Sequence, residues 1–294
     1  MKRSLCLLLL LAAPAFAQHD HASAPATGTE AALPASRPAS PRWTSQPLLL
    51  PARGPRGERA AALLRPEGIA ATHVTVYAPE GPSERLKVEY PVGPEGARIE
   101  AAAPKIGNYH WVIAREETPD AVRVASTAWY FSNPGDSPQA LLQQVKHELE
   151  IVPEPLPREH GSYRESEKWR FLVRFQGQPL ANQPVMLETA FGTRSTVLTD
   201  AAGYATVLFP RDFKPAADRR EGGDHGPRRV PFVLSTAKEL DGRRYLTAFN
   251  SSYGEDADRD RSLGWGVAFG LVGMLAATPL LRRRNDTHGE AKNG

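Results

Sequence analysis

The chain has 294 residues, 41 % of them hydrophobic, with 27 prolines and 24 glycines, enough for about two turn-rich domains. Its formal net charge at pH 7 is +3. Lys2 and Arg3 supply two of those charges and Arg282–Gly294 a further net two, which leaves the region between near −1. No basic face remains for a phosphate backbone, so nucleic-acid binding is excluded.

Residues 1–17 read as a secretory signal peptide. Lys2 and Arg3 form a positive start, Leu5–Ala13 is apolar, and Ala15-Phe16-Ala17 offers small residues for cleavage. Such a run is too short to span a bilayer, which takes about 20 residues. Cys6 is the only cysteine and lies inside the removed segment, so the exported chain has neither disulfides nor thiolate chemistry.

Residues 18–42 read as a disordered linker of small residues and proline with a histidine-bearing head, Gln18-His19-Asp20-His21. After cleavage, the Gln18 amine, an amide nitrogen and the His19 imidazole can chelate a divalent ion. Asp20 adds an oxygen and His21 a second imidazole. That donor set suits nickel(II), cobalt(II), copper(II) or zinc, and His19, Asp20 and His21 are the candidate metal ligands. The competing reading is a solvated linker in which the two histidines are incidental.

Residues 43–133 show short alternating strands separated by glycine and proline turns. In "THVTVYAP", Val74 and Val76 share one face while His73, Thr75 and Tyr77 share the other. In "NYHWVIARE", Tyr109, Trp111 and Ile113 oppose His110 and Val112. This spacing predicts a first β-sandwich. Residues 134–147 are a connector, with Ser137-Pro138 opening one or two helical turns that carry Leu141, Leu142 and Val145.

Residues 148–253 read as a second sandwich. "LEIVPEPLP" is an edge-type strand, because its prolines bar it from a sheet centre. "KWRFLVRF" puts Trp169, Phe171, Val173 and Phe175 inward, with Arg170 and Arg174 facing out. Thr199-Asp200 leads into a turn ending at Gly203, and Asp241-Gly242 reads as a two-residue hairpin turn. The charged loop 211–229 has a length typical of functional or mobile segments. Residues 254–261 form a charged stalk.

Residues 262–281, "SLGWGVAFGLVGMLAATPLL", carry no charge and are followed by Arg282–Arg284. This predicts one transmembrane helix with a cytoplasmic tail at 282–294. The expected fold class is therefore all-β: two immunoglobulin-like β-sandwich domains plus a C-terminal transmembrane helix. The expected topology is single-pass, with the body on the exported side.

No serine elbow, phosphate-cradling loop or cysteine nucleophile is present, so no catalytic residue is assigned and an enzyme is not expected. His73, His110, His147, His160 and His225 lack paired ligand spacing and read as structural or solvated.

"LEIVPEPLP", "KWRFLVRFQGQPLANQPVMLE" and "VLTDAAGYATVLFP" resemble bacterial immunoglobulin-like modules related in look to carboxypeptidase-regulatory domains. Taken with the histidines of the head, the chain resembles a family of bacterial periplasmic proteins that includes nickel and cobalt uptake accessory proteins. The resemblance covers roughly residues 43–253 in architecture, and its Thr-Asp-x-x-Gly motif shapes a turn. It implies metal binding at His19 and His21, with a metal transporter as partner. It also implies a location in a bacterial inner membrane, with the body in the periplasm. About twenty linker residues separate these histidines from the first strand here, a departure from the family pattern. The alternative is a non-catalytic interaction module that binds another envelope membrane protein.

Overall fold

The computed structural model describes residues 42–52, 60–103, 108–131, 135–158, 161–214, 229–256 and 263–285. The signal segment, the linker with His19, Asp20 and His21, and most of the charged loop lie outside the described residues.

Alternation builds the first strands. They are β1 (Leu48–Pro51), β2 (Ala61–Glu67), β3 (His73–Tyr77), β4 (Lys87–Pro91), β5 (Ala97–Glu100), β6 (Asn108–Glu117) and β7 (Ala121–Phe131). The short helix α1 (Gln139–Gln143) follows. It starts after Pro138 with no side-chain cap, so Ser137 does not cap it as its sequence position suggested.

The second half carries β8 (Leu149–Pro153), β9 (Tyr163–Arg164), β10 (Lys168–Phe175), β11 (Gln178–Pro179) and β12 (Pro184–Thr189). After these come β13 (Arg194–Leu198), β14 (Tyr204–Leu208), β15 (Arg229–Leu240) and β16 (Arg243–Gly254). Asp241 and Gly242 both have positive φ, 52° and 75°, which makes the β15–β16 turn the mirror-image type that suits strand twist.

These strands form three sheets, and the fold is all-β. A nine-stranded sheet runs β13-β12-β15-β16-β7-β6-β3-β4, with β9 also on β16. The expected break at residue 133 does not divide it. β16 pairs in parallel with β7, from Arg244↔Ala121 to Phe249↔Ser126, so both halves share one sheet. Ser126 Oγ and Thr127 Oγ1 reinforce the join by donating to the Ala248 and Asn250 carbonyls at 3.2 and 2.8 Å.

The two larger cores lie on opposite faces of this sheet. On β6, Val112 and Ala114 pack into a core with Leu49, Leu64 and Ile99 of the three-stranded sheet β1-β2-β5. Trp111 and Ile113, on the other face, pack into a core with Phe171, Val173 and Ile151 of the sheet formed by β8, β10, β11 and β14. The expected pair of sandwiches is therefore a three-layer arrangement around one central sheet. Aromatic rings fill the larger core. Trp111 stacks on Phe249 at 5.5 Å, and Phe209 meets Phe232 edge-on at 4.7 Å, arrangements that add to plain area burial.

The Thr199–Gly203 turn is structural. Asp200 Oδ1 accepts from the Ala202 and Tyr204 amides, both at 2.9 Å. Gly203 has φ +81°, and a Cβ there would sit 2.9 Å from the Val173 carbonyl.

Helix α2 (Leu263–Asn285) ends the described chain. Among the described residues no helix is long and apolar enough to cross a membrane. Side chains of α2 are described only at 267–278, and there Val267, Phe269, Leu271, Val272, Met274 and Leu275 are all exposed.

Candidate functional site

The connector builds the site. Alternation places Arg174 on the outward face of β10, yet the residue is buried, because α1 lies across that face. Arg174 Nε donates to Glu150 Oε2 at 2.7 Å, and Glu150 is fully buried. The rest of the guanidinium donates to the last carbonyls of α1 and the residue after it: Gln143 at 2.9 Å, Gln144 at 2.6 Å and Leu142 at 3.2 Å. Those carbonyls have no partner within the helix, so a cation is well placed there. Glu150 Oε1 in turn accepts from the Lys146 amide at 3.1 Å. A buried ion pair thus closes the C-terminus of a five-residue helix. Arg170, by contrast, stays exposed as the alternation implied, its guanidinium 4.0 Å from the Tyr204 ring centroid.

Lys146 fixes the next turn. Its Nζ donates to the Leu141 and Gln144 carbonyls at 2.6 and 2.7 Å and lies 5.3 Å from the Trp111 ring centroid. Burial lowers its ammonium to about 8. Arg115 makes a two-pronged contact to Glu148 at 2.6 and 2.9 Å. Those bonds hold the Glu148 carboxyl down to about 2.

Two clefts flank this connector. The larger, ≈ 990 Å³, lies between α1, the outer face of β10 and the segment that follows β8. Pro138, Pro153, Pro155 and Pro157 border it together with Tyr109, Tyr204, Leu142, Leu156 and Leu172. Gln139, Gln143, Glu154 and Arg158 supply the polar lining. Asn108 at the start of β6 anchors the near end: its Nδ2 donates to the Asp136 carbonyl at 2.7 Å and the Gly135 carbonyl at 3.2 Å. Tyr109 leans on Tyr130 with ring centroids 5.1 Å apart. Burial, and then Tyr130, push its hydroxyl up to about 12. The Tyr204 hydroxyl is raised by its hydrogen bond to Glu154. Both phenols therefore stay protonated at neutral pH, as apolar faces with a donor at one end. Among the described residues the lining contains no histidine or cysteine.

The smaller cleft, ≈ 460 Å³, lies on the other side of the connector, between Lys146–Glu148 and β3, β4 and β6. Its cations Lys87, Arg115 and Lys146 alternate with Glu89 and Glu148.

Among the described histidines, His110 is wholly buried. Its Nε2 accepts from the Ala102 amide at 3.1 Å, and Phe131 meets its ring edge-on at 4.8 Å. Burial lowers it to about 4, so it is a neutral core residue. His147 is buried beside Glu148 and is lowered by burial to about 3. His73 is exposed, within hydrogen-bond distance of Thr72 Oγ1. The candidate ligands His19, Asp20 and His21 lie outside the described residues, as do His160 and His225. Among the described residues no group of three or more His, Cys, Asp or Glu side chains is disposed to hold a metal ion.

The start of the charged loop is fastened. Asp212 accepts from the Thr189, Thr193 and Tyr253 hydroxyls at 2.9, 2.7 and 2.6 Å.

No family model and no curated protein matches the chain. Solved structures that are similar in part include the following two. One, described as "Structural insight into host cell surface retention of a 1.5-MDa bacterial ice-binding adhesin", is 14 % identical over 67 % of this chain and 56 % of that one, with a TM-score of 0.25. The other, described as "Biofilm associated protein - BSP domain", is 12 % identical over 71 % of this chain and 29 % of that one, with a TM-score of 0.20. The chain thus spans little more than half of the first and under a third of the second.

Proposed function

We propose that the chain is a non-catalytic binding module of the bacterial envelope, and that its larger cleft holds an extended, proline-containing segment of an envelope membrane protein. The observation that carries this reading is the cleft's border of four prolines and two tyrosines. Proline has no N–H to offer a β-ladder, so the prolines after β8 oppose addition of a strand there. A polyproline II segment needs no ladder: its backbone stays solvated and its rings seat against aromatic side chains. Tyr109 and Tyr204 offer such faces, and Gln139, Gln143 and Arg158 can donate to its carbonyls.

Two segments of the sequence support an envelope location. Met1–Ala17 supports export, and the uncharged stretch 262–281 before Arg282–Arg284 supports a single-pass anchor with an immunoglobulin-like body in the periplasm. The exposed apolar side chains of α2 at 267–275 favour the same reading, because a helix apolar on all sides belongs in protein or lipid rather than in water.

Fluorescence anisotropy with labelled ten-residue peptides containing P-x-x-P tests the cleft. Binding that falls at least tenfold in Tyr204→Ala and in Gln139→Lys, but not in Leu86→Ala, is expected. Peptides that ignore all three substitutions sink the reading.

A second role, metal capture for a transporter, rests on His19, Asp20 and His21 beside the cleavage site. Calorimetric titration with nickel, cobalt, copper and zinc tests it. Binding to the chain that begins at Gln18 that is no tighter than to its His19→Ala/His21→Ala variant sinks it.

A further inference from the structure

A strand at the end of a sheet exposes unpaired backbone groups, and folded proteins usually block them. Three sheet edges here are blocked. At one end of the central sheet, β4 turns outward the backbone of Lys87, Glu89 and Pro91, two charges and a residue without an N–H. The edge of β1 is closed by Asn250, whose side chain bonds both backbone groups of Leu49. The edge strand β8 runs into Pro153, Pro155 and Pro157.

At the other end of the central sheet, β13 has none of these devices. Thr189 donates to the Thr193 carbonyl and Thr199 donates to that of Gln183, so the odd-numbered residues of β13 face β12. The N–H and C=O groups of Arg194, Thr196 and Leu198 therefore point away from the sheet, and no described residue bonds them. The strand contains no proline, and Ser195, Thr196 and Val197 suit extended backbone. Leu198 is 62 % exposed. The one charge, Arg194, is tied to Glu188 at 3.0 Å.

We infer that β13 pairs with β13 of a second copy of this chain, antiparallel about a two-fold axis at Thr196. The sequence of the edge selects this occupant. In that register Arg194 faces Leu198, Thr196 faces Thr196, and Ser195 faces Val197. No like charges meet. The Arg194 stem lies along the exposed Leu198 of the other copy, while its guanidinium stays with Glu188. Every outward N–H then finds an outward C=O, as an isologous contact requires.

Thr196→Pro in the full chain tests this. It removes an outward N–H and leaves the β12–β13 bonds intact. A concentration-dependent dimer in sedimentation that weakens at least tenfold in Thr196→Pro, with circular dichroism unchanged, is expected. Thr196→Ala, which keeps the N–H, should dimerise nearly as well. A second measurement covers dimers made elsewhere on the chain. Opposed residues across such a pair have Cα atoms about 5.5 Å apart, within disulfide range. In a Cys6→Ser background, Thr196→Cys should therefore form a disulfide-linked dimer and Leu86→Cys should not. A chain that stays monomeric, a position 196 that crosslinks only to a different protein, or a dimer indifferent to Thr196→Pro with no crosslink at 196 overturns the inference.

Discussion

Asn250 acts as a surrogate strand for Leu49. Its Oδ1 accepts the Leu49 N–H and its Nδ2 donates to the Leu49 carbonyl, both at 2.8 Å, across 201 residues of sequence. The side-chain amide thereby does for the edge of β1 what a neighbouring backbone would, and it fastens the three-stranded sheet to the central one. Asn250→Ala leaves both buried groups of Leu49 unpaired. At roughly 1–3 kcal/mol for each, urea unfolding should show a loss of about 2–6 kcal/mol. Asn250→Asp keeps the acceptor but sets a carboxylate against the Leu49 carbonyl, and should cost at least as much. A loss under about 0.5 kcal/mol in both variants would show that the pairing does not hold the layers.

Arg174 joins Glu150 to the end of α1. Removing one member of a buried pair costs about 3–5 kcal/mol, because the partner's charge is left uncompensated. Arg174→Ala should lose that much in thermal or urea unfolding. It should also speed hydrogen exchange of the amides from Leu142 to Lys146 and weaken peptide binding in the larger cleft. Arg174→Lys should not rescue the exchange rates, since one ammonium cannot reach three carbonyls and a carboxylate in the guanidinium's geometry. Unchanged exchange in Arg174→Ala would mean that α1 is held by its apolar face alone.

Acid should destabilise the chain over two overlapping windows. His110 titrates near 4 in the fold, against 6.5 when free, because burial disfavours its cation. The unfolded chain takes up a proton where the folded chain does not, so stability is complete above about 6.5 and falls as pH drops toward 4. The gap corresponds to about 3 kcal/mol. Buried His147, lowered to about 3, acts over the same window, so His110→Gln should reduce the slope of unfolding free energy against pH there and His110→Gln/His147→Gln should flatten it. Glu148 acts lower down. Its carboxyl, held near 2 by the Arg115 bonds, contributes stability that is present above its ordinary 4.5 and lost as pH falls toward 2. Glu148→Gln should remove only this lower contribution. A profile that neither variant alters would place the acid-sensitive groups elsewhere.

Gly203 and Gly242 both have positive φ but differ in their surroundings. A Cβ at Gly242 meets nothing within 4 Å, whereas one at Gly203 meets Pro179 at 2.8 Å and the Val173 carbonyl at 2.9 Å. Gly242→Ala should cost only the backbone term, about 1–2 kcal/mol. Gly203→Ala adds overpacking and should cost roughly 2–4 kcal/mol. Equal losses in the two melting curves would show that backbone conformation, not contact, dominates at both turns.

Local pattern made much of this fold legible. Alternation placed Val112 against Trp111, Asp241-Gly242 announced its turn, and "LEIVPEPLP" announced an edge. What it missed was tertiary. "HWVIA", "AVRVASTA" and "VPFVLSTA" are apolar at odd and even positions alike, the mark of strands covered on both faces. Two separate sandwiches would leave one face of each such strand in water. The β16–β7 pairing joins residues more than a hundred apart, and no local signal reports it. Arg174 read as an outward residue because nothing in "KWRFLVRF" says that a connector will cross it. The cleft was illegible for the same reason: Tyr109 and Tyr204 line one cleft only after β6 and β14 are placed in different sheets. The candidate ligands His19, Asp20 and His21 were the compact cluster that sequence could offer, and they precede the described fold.

The parallel seam between β7 and β16 also has a mechanical meaning. A pull on the C-terminal helix enters the body along β16, which is bonded to β15 on one flank and β7 on the other. Load directed along the strand would meet both ladders in shear, with many bonds strained together rather than opened one by one. The same seam carries that load from residues late in the chain into strands formed early in it. A body built this way would resist extraction as one piece.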